Sequence, residues 1–459
     1  MIIAWVVLML GSNMVAAQED DQPKAPESTV EPSPILDGPE SPDDISEGSA
    51  GYHPEGRRVG TPTDVERDLD FSFPKRDHVF KGLLPQEWFK KKEDLYQKYG
   101  VKLGFSYQAI YQRASDTLSA ETSIFRLDGD KDVAAGWALL EGKWEMYNRG
   151  KDFEGSLVAA LDWRHTFTDG RDPAFWGSFD VGSLWPTDFG YIEWDPWLPV
   201  AYWEQWIKKD RFGLRLGQQI IGHIWDFNRF KDVRVAFNSA ALTVPTTVQP
   251  WPGPGLGAAF KLWPIEDSTL YVVGTVNDMN FELEEWTWDD AIRDADFFYG
   301  LEVGYNWARA PGDFDHLHLN LWYADKPKEN PLPIFPSESG WGFKVGGEKQ
   351  MGRFVGFGSY NYNTAKGGAF GGTLARHLTT AGLAYLKPFG IGGEIGLGTS
   401  WAQPFDNDLR SQYGVEGYWK ILLFPTIWLT PGVQWILDPT FNPQEDSVVV
   451  GSLRTRLIF

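Results

Sequence analysis

Apolar and polar residues alternate with a period of two in one segment after another, from Val101 to the last residue. In FDHLHLNLWYA, His316, His318 and Asn320 share one side, and leucines occupy the other. Alternation over about ten residues predicts a β-strand with one apolar face. The chain is therefore predicted to be all-β over most of its length.

Sixteen segments of this kind can be counted. We place them at residues 102–112, 134–147, 154–168, 198–207, 211–220, 254–263, 268–277, 297–307, 314–324, 341–349, 352–362, 374–386, 391–402, 411–421, 425–436 and 447–459. Connections after even-numbered strands are tight, and most of those after odd-numbered strands are longer, up to roughly thirty residues. Short and long connections in alternation are typical of an antiparallel transmembrane barrel, with turns facing the periplasm and loops facing outside.

Aromatic residues favour a membrane barrel over a soluble β-sandwich. Several lie near strand ends, as in the interfacial girdles of membrane barrels: Trp307, Tyr323, Trp401, Trp419 and Trp435. The opposite strand faces are rich in glycine and charge, which suits a water-filled lumen. The main soluble alternative is a secreted glycan-active enzyme, which would need two carboxylates in one cleft. The many acidic residues leave that alternative open.

The first hundred residues follow a different pattern. Residues 1–17 contain an apolar run that is too short to span a bilayer comfortably, followed by small residues, and we interpret them as a secretory signal. Residues 18–82 are predicted to be a disordered acidic linker rich in proline. Residues 83–100 are predicted to form a helix on the periplasmic side, and residues 101–459 the barrel.

Charge and composition exclude several classes of function. The net charge is −21, and a nucleic-acid-binding protein needs a basic surface. Residues 18–70 hold 15 Asp or Glu and 4 Lys or Arg, so they contribute about half of that charge. The chain has no cysteine, which excludes disulfides and thiolate metal sites. No organic cofactor and no metal are expected.

The C-terminal third resembles the carbohydrate-selective porins (OprB type) of Gram-negative outer membranes. The resemblance is carried by RSQYGVEGYWKI, LTPGVQWILDPTFNP and SVVVGSLRTRLIF, with a weaker similarity in FGLRLGQQ and AFNSAA. It implies a sixteen-stranded barrel through which sugars diffuse, which matches the strand count. The acidic linker and the density of tryptophan depart from the usual pattern of the family.

The resemblance also implies partners. Outer-membrane barrels commonly end in an aromatic residue that the barrel-assembly machinery reads, and Phe459 fits that signal. The outer membrane with its lipopolysaccharide is the expected environment. The acidic linker is a candidate contact with the cell wall, and either a monomer or a trimer is expected.

The phase of each strand predicts which side chains line the pore. The basic set and the acidic set are equal in size, at eight each: Lys143, Arg164, Arg215, Lys261, Lys344, Lys420, Arg454 and Arg456 against Glu141, Glu145, Asp162, Glu204, Glu302, Glu348, Glu394 and Glu416. His316 and Asn320 are predicted to line it too. Rings of one sign make a pore ion-selective, whereas a balanced lumen suits neutral polyhydroxylated solutes. Most of these charges are expected to pair across strands and brace the wall.

Two long loops carry many aromatic residues, and at least one of them is predicted to fold inward and narrow the channel. The candidate constriction residues are Trp176, Trp185, Trp225 and Trp251. The alternative is that these rings hold the loops to one another or to the lipid interface. His316 and His318 could ligate a metal, but no third ligand is evident, so a pore-lining pair is the favoured interpretation.

The predicted function is passive, sugar-selective diffusion through a mixed-charge, aromatic-lined channel, without enzymatic activity. The alternatives are a general porin, a secreted glycan-active enzyme, and a barrel with a structural or adhesive role. Conductance with a panel of sugars would separate a sugar-selective porin from a general porin. Detergent-dependent solubility would exclude the secreted enzyme.

Overall fold

The structure is a computed structural model of the chain. It describes residues 69, 79–80, 86–119, 121, 129–208, 211–226, 228–243, 250, 252–264, 270–280, 282, 284–306, 315–328, 337–367 and 374–459. The predicted signal at residues 1–17 lies outside these residues. So does the predicted linker at residues 18–82, apart from Leu69, Val79 and Phe80.

Strands dominate the described residues, and they number sixteen. Their bounds are β1 Val101–Ala114, β2 Asp132–Tyr147, β3 Gly155–Thr166, β4 Trp194–Lys208, β5 Phe212–Ile220, β6 Pro254–Leu262, β7 Leu270–Asp278, β8 Phe297–Asn306, β9 His316–Ala324, β10 Gly340–Met351, β11 Phe354–Asn363, β12 Ala375–Leu386, β13 Gly393–Pro404, β14 Gln412–Phe424, β15 Ile427–Leu437 and β16 Ser447–Ile458. The predicted sixteen-stranded antiparallel barrel is confirmed.

Every strand pairs with its sequence neighbours, and β1 pairs with β16 to close the barrel. At the seam Ser106 lies opposite Ile458, and Ile110 lies opposite Arg454. The last residue continues the pairing, because Phe459 and Phe105 exchange both backbone hydrogen bonds, at 2.7 and 2.8 Å. Closure leaves no unpaired strand edge at the seam, which a membrane barrel requires.

The two-residue period gives the wall two chemically different faces. On β9, Leu317, Leu319 and Leu321 are exposed on the outer face, whereas His316 and His318 are buried on the inner one. In water an exposed leucine ladder would be unfavourable, but against lipid it is the favourable arrangement. The outer face is thus an apolar band, and the polar residues of the wall point inward.

Strand β4 begins four residues earlier than the alternation predicts, at Trp194. Its start, WDPWLP, contains Pro196 and Pro199, which lack the N–H that a regular ladder uses. The structure accommodates them with irregular register against β3 between Ala160 and Arg164. Because of these prolines, the sequence pattern assigned the start of β4 to the preceding loop.

Four helices are described alongside the strands: α1 Gln86–Tyr99, α2 Pro173–Phe179, α3 Ala240–Thr243 and α4 Trp288–Asp294. Helix α1 precedes β1 directly and lies at the end of the barrel that carries the short turns. Arg149, in the β2–β3 turn, donates hydrogen bonds to the carbonyl oxygens of Tyr96 and Gln97, at the C-terminal end of α1. Among the helices described, none is both long and apolar enough to cross a bilayer.

Candidate functional site

The inner face of the wall carries the charged side chains that the sequence predicts there. All the predicted pore-lining residues lie on strands with their side chains inside the barrel, buried or nearly so: Glu141, Lys143, Glu145, Asp162, Arg164, Glu204, Arg215, Lys261, Glu302, His316, Asn320, Lys344, Glu348, Glu394, Glu416, Lys420, Arg454 and Arg456. Their contact with solute stays a prediction.

Several of these charges pair with each other across strands. Glu204 accepts hydrogen bonds from Lys143, at 3.0 Å, and from Arg215, at 3.1 Å. Glu394 accepts from Lys420 at 3.0 Å and from the hydroxyl of Tyr418 at 2.8 Å. Such pairs satisfy buried charges and stiffen the wall, because an unpaired buried charge is costly.

The β5–β6 loop comprises residues 221–253, and its described part up to Thr243 folds into the lumen. Near its start it contacts β8 to β10. The backbone N–H of Asp226 donates to Glu302 at 2.6 Å. The Asp226 carboxylate accepts from Lys344 at 2.5 Å and lies 3.2 Å from His318. Charged groups on the wall therefore bind this part of the loop through both its backbone and its side chain.

A second anchor follows three residues later. Arg229 donates from its Nε to Glu348 at 3.1 Å and from a terminal nitrogen to Gln350 at 2.9 Å, both on β10. Both members of the Arg229–Glu348 pair are almost fully buried. An ion pair of this kind fixes the position of the loop more than it adds to stability.

The loop then crosses to the opposite wall, at β14 and β16. Glu416 accepts from the backbone N–H groups of Asn238, at 2.7 Å, and Ser239, at 2.8 Å. Arg454 donates to the carbonyl oxygens of Val233 and Ala236 and to the side chain of Asn238. Two residues predicted to line the pore thus hold a loop across it.

Apolar rings support the same crossing. Phe230 packs against Phe357 of β11, with ring centroids 5.0 Å apart, and Phe237 packs edge-on against Tyr418 of β14, at 4.8 Å. Phe230 and Phe237 are fully buried. Inward-facing aromatic residues on the wall at this level receive the loop, so that region is a packed core and not an open channel.

The β3–β4 loop, residues 167–193, also extends into the lumen as far as β14 and β15, and neutral groups hold it there. Gln412 of β14 accepts from the N–H of Leu184 at 2.8 Å and donates to the hydroxyl of Ser183 at 2.9 Å. The carbonyl of Thr187 accepts from Gln434 of β15 at 2.7 Å. The loop therefore spans the barrel from β3 to β15.

The predicted constriction tryptophans contribute to loop packing. Trp176, Trp185 and Trp225 are each only 1% exposed. Trp225 packs edge-on against Phe298 of β8, at 5.1 Å, and Trp176 donates its indole N–H to the carbonyl of Asp130. These rings hold the inward loops in place, and Trp251 lies outside the described residues.

The two loops leave an open cavity against the wall formed by β2 to β5. Its volume is about 130 Å³. Its lining combines aromatic, acidic and basic groups: Trp137, Glu141, Asp162, Arg164, Trp194, His223, Lys231, Asp232 and Arg234, among others. This lining places hydrogen-bond donors, acceptors and flat apolar surfaces side by side, which is the chemistry that a small polar ligand needs.

Arg164 organises one side of the cavity. Its guanidinium lies between the rings of Trp137, at 3.8 Å, and Trp194, at 3.6 Å. It also forms a bidentate ion pair with Asp162 and donates to the carbonyl of Gly190 at 2.7 Å. Stacking and the ion pair together hold two flat indole rings at fixed positions beside the cavity.

Arg234 faces Arg164 across the cavity from the loop side. It pairs with Asp232 at 2.9 Å, lies 3.8 Å from Glu141 of the wall, and sits 5.5 Å from the Trp137 ring. Sequence reasoning missed these loop charges, although FNRFKDVR is a charge-dense stretch inside a long aromatic loop. The high density of charged residues in this stretch could have indicated that the loop contributes to the site.

The two histidines of β9 stack on each other, with ring centroids 5.0 Å apart. His316 lies 3.9 Å from Glu348, and His318 lies next to Asp226. In the described part of the chain, no group of three or more potential ligands is arranged to hold a metal ion. The pair belongs to the wall that receives the β5–β6 loop.

Comparison with known proteins identifies the C-terminal strands. Residues 370–459 match the model of the family described as "Carbohydrate-selective porin, OprB family". The predicted resemblance to this family is confirmed. Porins are channels, so the match also agrees with the expectation that the chain is not an enzyme.

One solved structure supports the barrel fold. The high-pH structure of Pseudomonas putida OprB is 12% identical, with a TM-score of 0.58 over 81% of this chain and 97% of that chain. A triple mutant of the Rhodopseudomonas blastica porin is 10% identical, with a TM-score of 0.46 over 78% of this chain and 100% of that one.

A curated relative matches a shorter stretch. An uncharacterized protein of Nostoc sp. is 33% identical over 111 residues, 23% of this chain. The match spans only 18% of that protein's length.

Proposed function

We propose that the protein is an outer-membrane porin for passive diffusion of sugars, and that solutes are recognised in the cavity against β2 to β5. One observation carries the proposal. Two indole rings, three carboxylates and three cationic groups converge where two inward loops narrow a closed barrel. Neither sign of charge dominates that cavity.

The chemistry fits a neutral polyhydroxylated solute. Sugar hydroxyls need both donors and acceptors, which Arg234, Lys231, Asp232 and Glu141 supply. The C–H face of a sugar ring packs on a flat apolar surface, which an indole supplies. Because binding must stay weak for solute to leave, groups already paired to one another suit the task better than unpaired charges.

The test is conductance of the reconstituted protein in planar bilayers, with a panel of mono- and oligosaccharides as blockers. Trp194→Leu removes one indole and its hydrogen bond to Asp162. We expect sugar block to weaken about tenfold, which corresponds to roughly 1.4 kcal/mol. Trp263→Leu is the matched control, because Trp263 is buried but does not line the cavity.

Two outcomes would contradict the proposal. Strong cation or anion selectivity without any sugar block would leave a general porin. Equal weakening in the Trp194 and Trp263 variants would mean that the cavity is not the recognition site.

We further propose three partners for the remaining features. Phe459, which completes the β1–β16 seam, would be the terminal residue of the assembly signal. The acidic residues before α1 would contact the cell wall, and the apolar outer face would contact lipid and lipopolysaccharide. Replacing Phe459 with Ala should lower the yield of assembled, heat-modifiable barrel.

A further inference from the structure

One residue from the acidic N-terminal region lies inside the barrel. The side chain of Leu69 is 1% exposed. It belongs to a cluster of buried apolar residues formed by the inner faces of β1 to β4 and the two inward loops, including Ile110, Trp137, Val158 and Val233. A leucine that lies more than thirty residues before the first strand is thus part of the lumen packing.

The cluster adjoins the candidate solute site. Trp137, Leu139 and Val233 belong to the cluster that holds Leu69, and they also line the cavity. Ile110 is the cross-strand neighbour of Arg454, which anchors the β5–β6 loop. Leu69 therefore packs among the residues that shape the passage.

The next described residues, Val79 and Phe80, lie at one end of the barrel. The N–H groups of Val79 and Phe80 donate to the carbonyl oxygens of Leu422 and Leu423, both at 2.9 Å, where β14 ends. The Phe80 ring packs against Phe424 at 5.2 Å. This is the short-turn end of the barrel, which faces the periplasm in the predicted orientation.

The distance along the chain fits entry from that end. Leu69 lies ten residues before Val79, and ten residues reach at most about 33 Å. The apolar band of such a barrel is about 25 Å tall, so the chain can reach the middle of the lumen from the short-turn rim. Burial of the Leu69 side chain favours the docked state, because it removes apolar surface from water.

The apolar contacts of Leu69, and not charge, carry the docking. Residues 64–70 contain four acidic residues and one basic residue. The adjoining cavity holds acidic and basic groups in equal number, and its arginines are already paired, Arg164 with Asp162. The charge around Leu69 therefore gives no argument for this surface over another.

We propose that the inner surface around Ile110 and Trp137 is a docking site for the chain's own N-terminal segment, which enters from the short-turn end and is anchored by Leu69. Docked there, the segment occupies space beside the solute cavity and lowers the conductance of the pore. The effect on conductance rests on the proposed function, whereas the docking does not.

Introduced thiols test the docking directly, because the chain has no cysteine of its own. The pair Leu69→Cys and Ala135→Cys, treated with a short bifunctional thiol reagent, should give an intramolecular crosslink in the assembled protein. The pair Leu36→Cys and Ala135→Cys is the control. Alone, Leu69→Cys should react with a bulky maleimide at least tenfold more slowly than Leu36→Cys.

Three results would overturn the docking. They are equal labelling rates at the two positions, equal crosslinking of the two pairs, and a crosslink found only between two copies of the chain. None of these readouts depends on what the pore conducts, so a failure of the sugar proposal would leave them unaffected.

Single-channel conductance tests whether the docked segment restricts the pore. Removal of residues 18–75, or Leu69→Asp, should raise single-channel conductance by the same factor, while Leu36→Asp should not change it. If the crosslink forms but all these variants conduct like the parent, the segment docks without restricting the pore, and the proposed restriction is wrong.

Discussion

The two inward loops are held at the same part of the wall, β14 to β16, by different physical means. The β5–β6 loop is held by charged groups, Glu302 and Glu348 on one wall and Glu416 and Arg454 on the other. The β3–β4 loop is held there by neutral amides and hydroxyls and by buried indole rings. A buried charge that loses its partner is far more costly than a neutral group, so the charged loop has fewer tolerable alternative positions.

The difference also assigns the loops different tasks. The charged loop contributes Lys231, Asp232 and Arg234 to the cavity, and its own anchors fix where these groups stand. The neutral loop contributes Phe189, Gly190 and Ile192, which shape the cavity without adding charge. We infer that the first loop sets recognition and the second sets the available space.

The largest effect is expected from Arg454→Met. The variant keeps much of the side-chain volume but leaves two loop carbonyl groups and the Asn238 side chain without their donor. We expect the docked loop to lose at least about 3 kcal/mol, which raises the population of the undocked loop about a hundredfold. Single-channel records should show frequent transitions to a higher conductance.

Arg113→Met is the control for that change, because Arg113 forms an exposed ion pair with Asp132 outside the lumen. If single-channel records of the Arg454 variant show no more transitions than those of the parent, Glu416 and the aromatic packing suffice to hold the loop. The contrast between charged and neutral anchoring would then lose its main support.

A smaller effect is expected from Gln412→Leu, the corresponding change on the neutral side. It removes the hydrogen bonds to Ser183, Leu184 and Thr440. Because neutral hydrogen bonds contribute about 1 kcal/mol each and the new leucine can pack, we expect a loss of about 1–2 kcal/mol. Hydrogen exchange of the Leu184 amide should accelerate, with the β5–β6 loop amides unchanged. Equal acceleration in both loops would show that they move as one unit.

The smallest effect concerns pH and Asp172, the N-cap of α2. Burial raises the pKa of this carboxyl to about 6, against backbone hydrogen bonds from Glu193 and Phe175 that lower it. The raised pKa means that the folded loop favours the protonated form. Its contribution to stability is thus fully present below the unfolded pKa near 4, and is lost as pH rises through 6.

The β3–β4 loop should therefore exchange its amides faster at pH 7 than at pH 4.5, after correction for intrinsic rates. In Asp172→Asn this pH dependence should shrink, with the β5–β6 loop as the internal reference. A variant that keeps the full dependence would assign it to another group, such as Asp180, whose pKa burial also raises.

Strand positions could be predicted from sequence because the membrane imposes a strict two-residue period on the wall. The period also places Glu416 and Arg454 on the inner face. It does not show what fills the lumen, because a solute, water or a loop can each satisfy an inward-facing charge. The partners of Glu416 are backbone N–H groups of Asn238 and Ser239, and no side-chain pattern marks those.

Neutral anchors were missed for a related reason. Gln112, Gln412 and Gln434 occupy inward positions and bind the β3–β4 loop, but a search based on charge passes over them. The burial of Leu69 inside the barrel could not be predicted either, because a single leucine in an acidic, proline-rich stretch forms no periodic pattern.

The bond between Arg454 and Asn238 has a consequence for the order of biogenesis. The two residues are 216 positions apart, and Arg454 stands on the final strand. Forming this contact requires a long stretch of chain to close into a loop, which is slower than pairing neighbouring strands. The β5–β6 loop cannot be fully anchored until β16 is in place. A barrel that still lacked its last strand would therefore lack one holder of the loop that narrows it, so complete narrowing of the pore requires the strand that closes the wall.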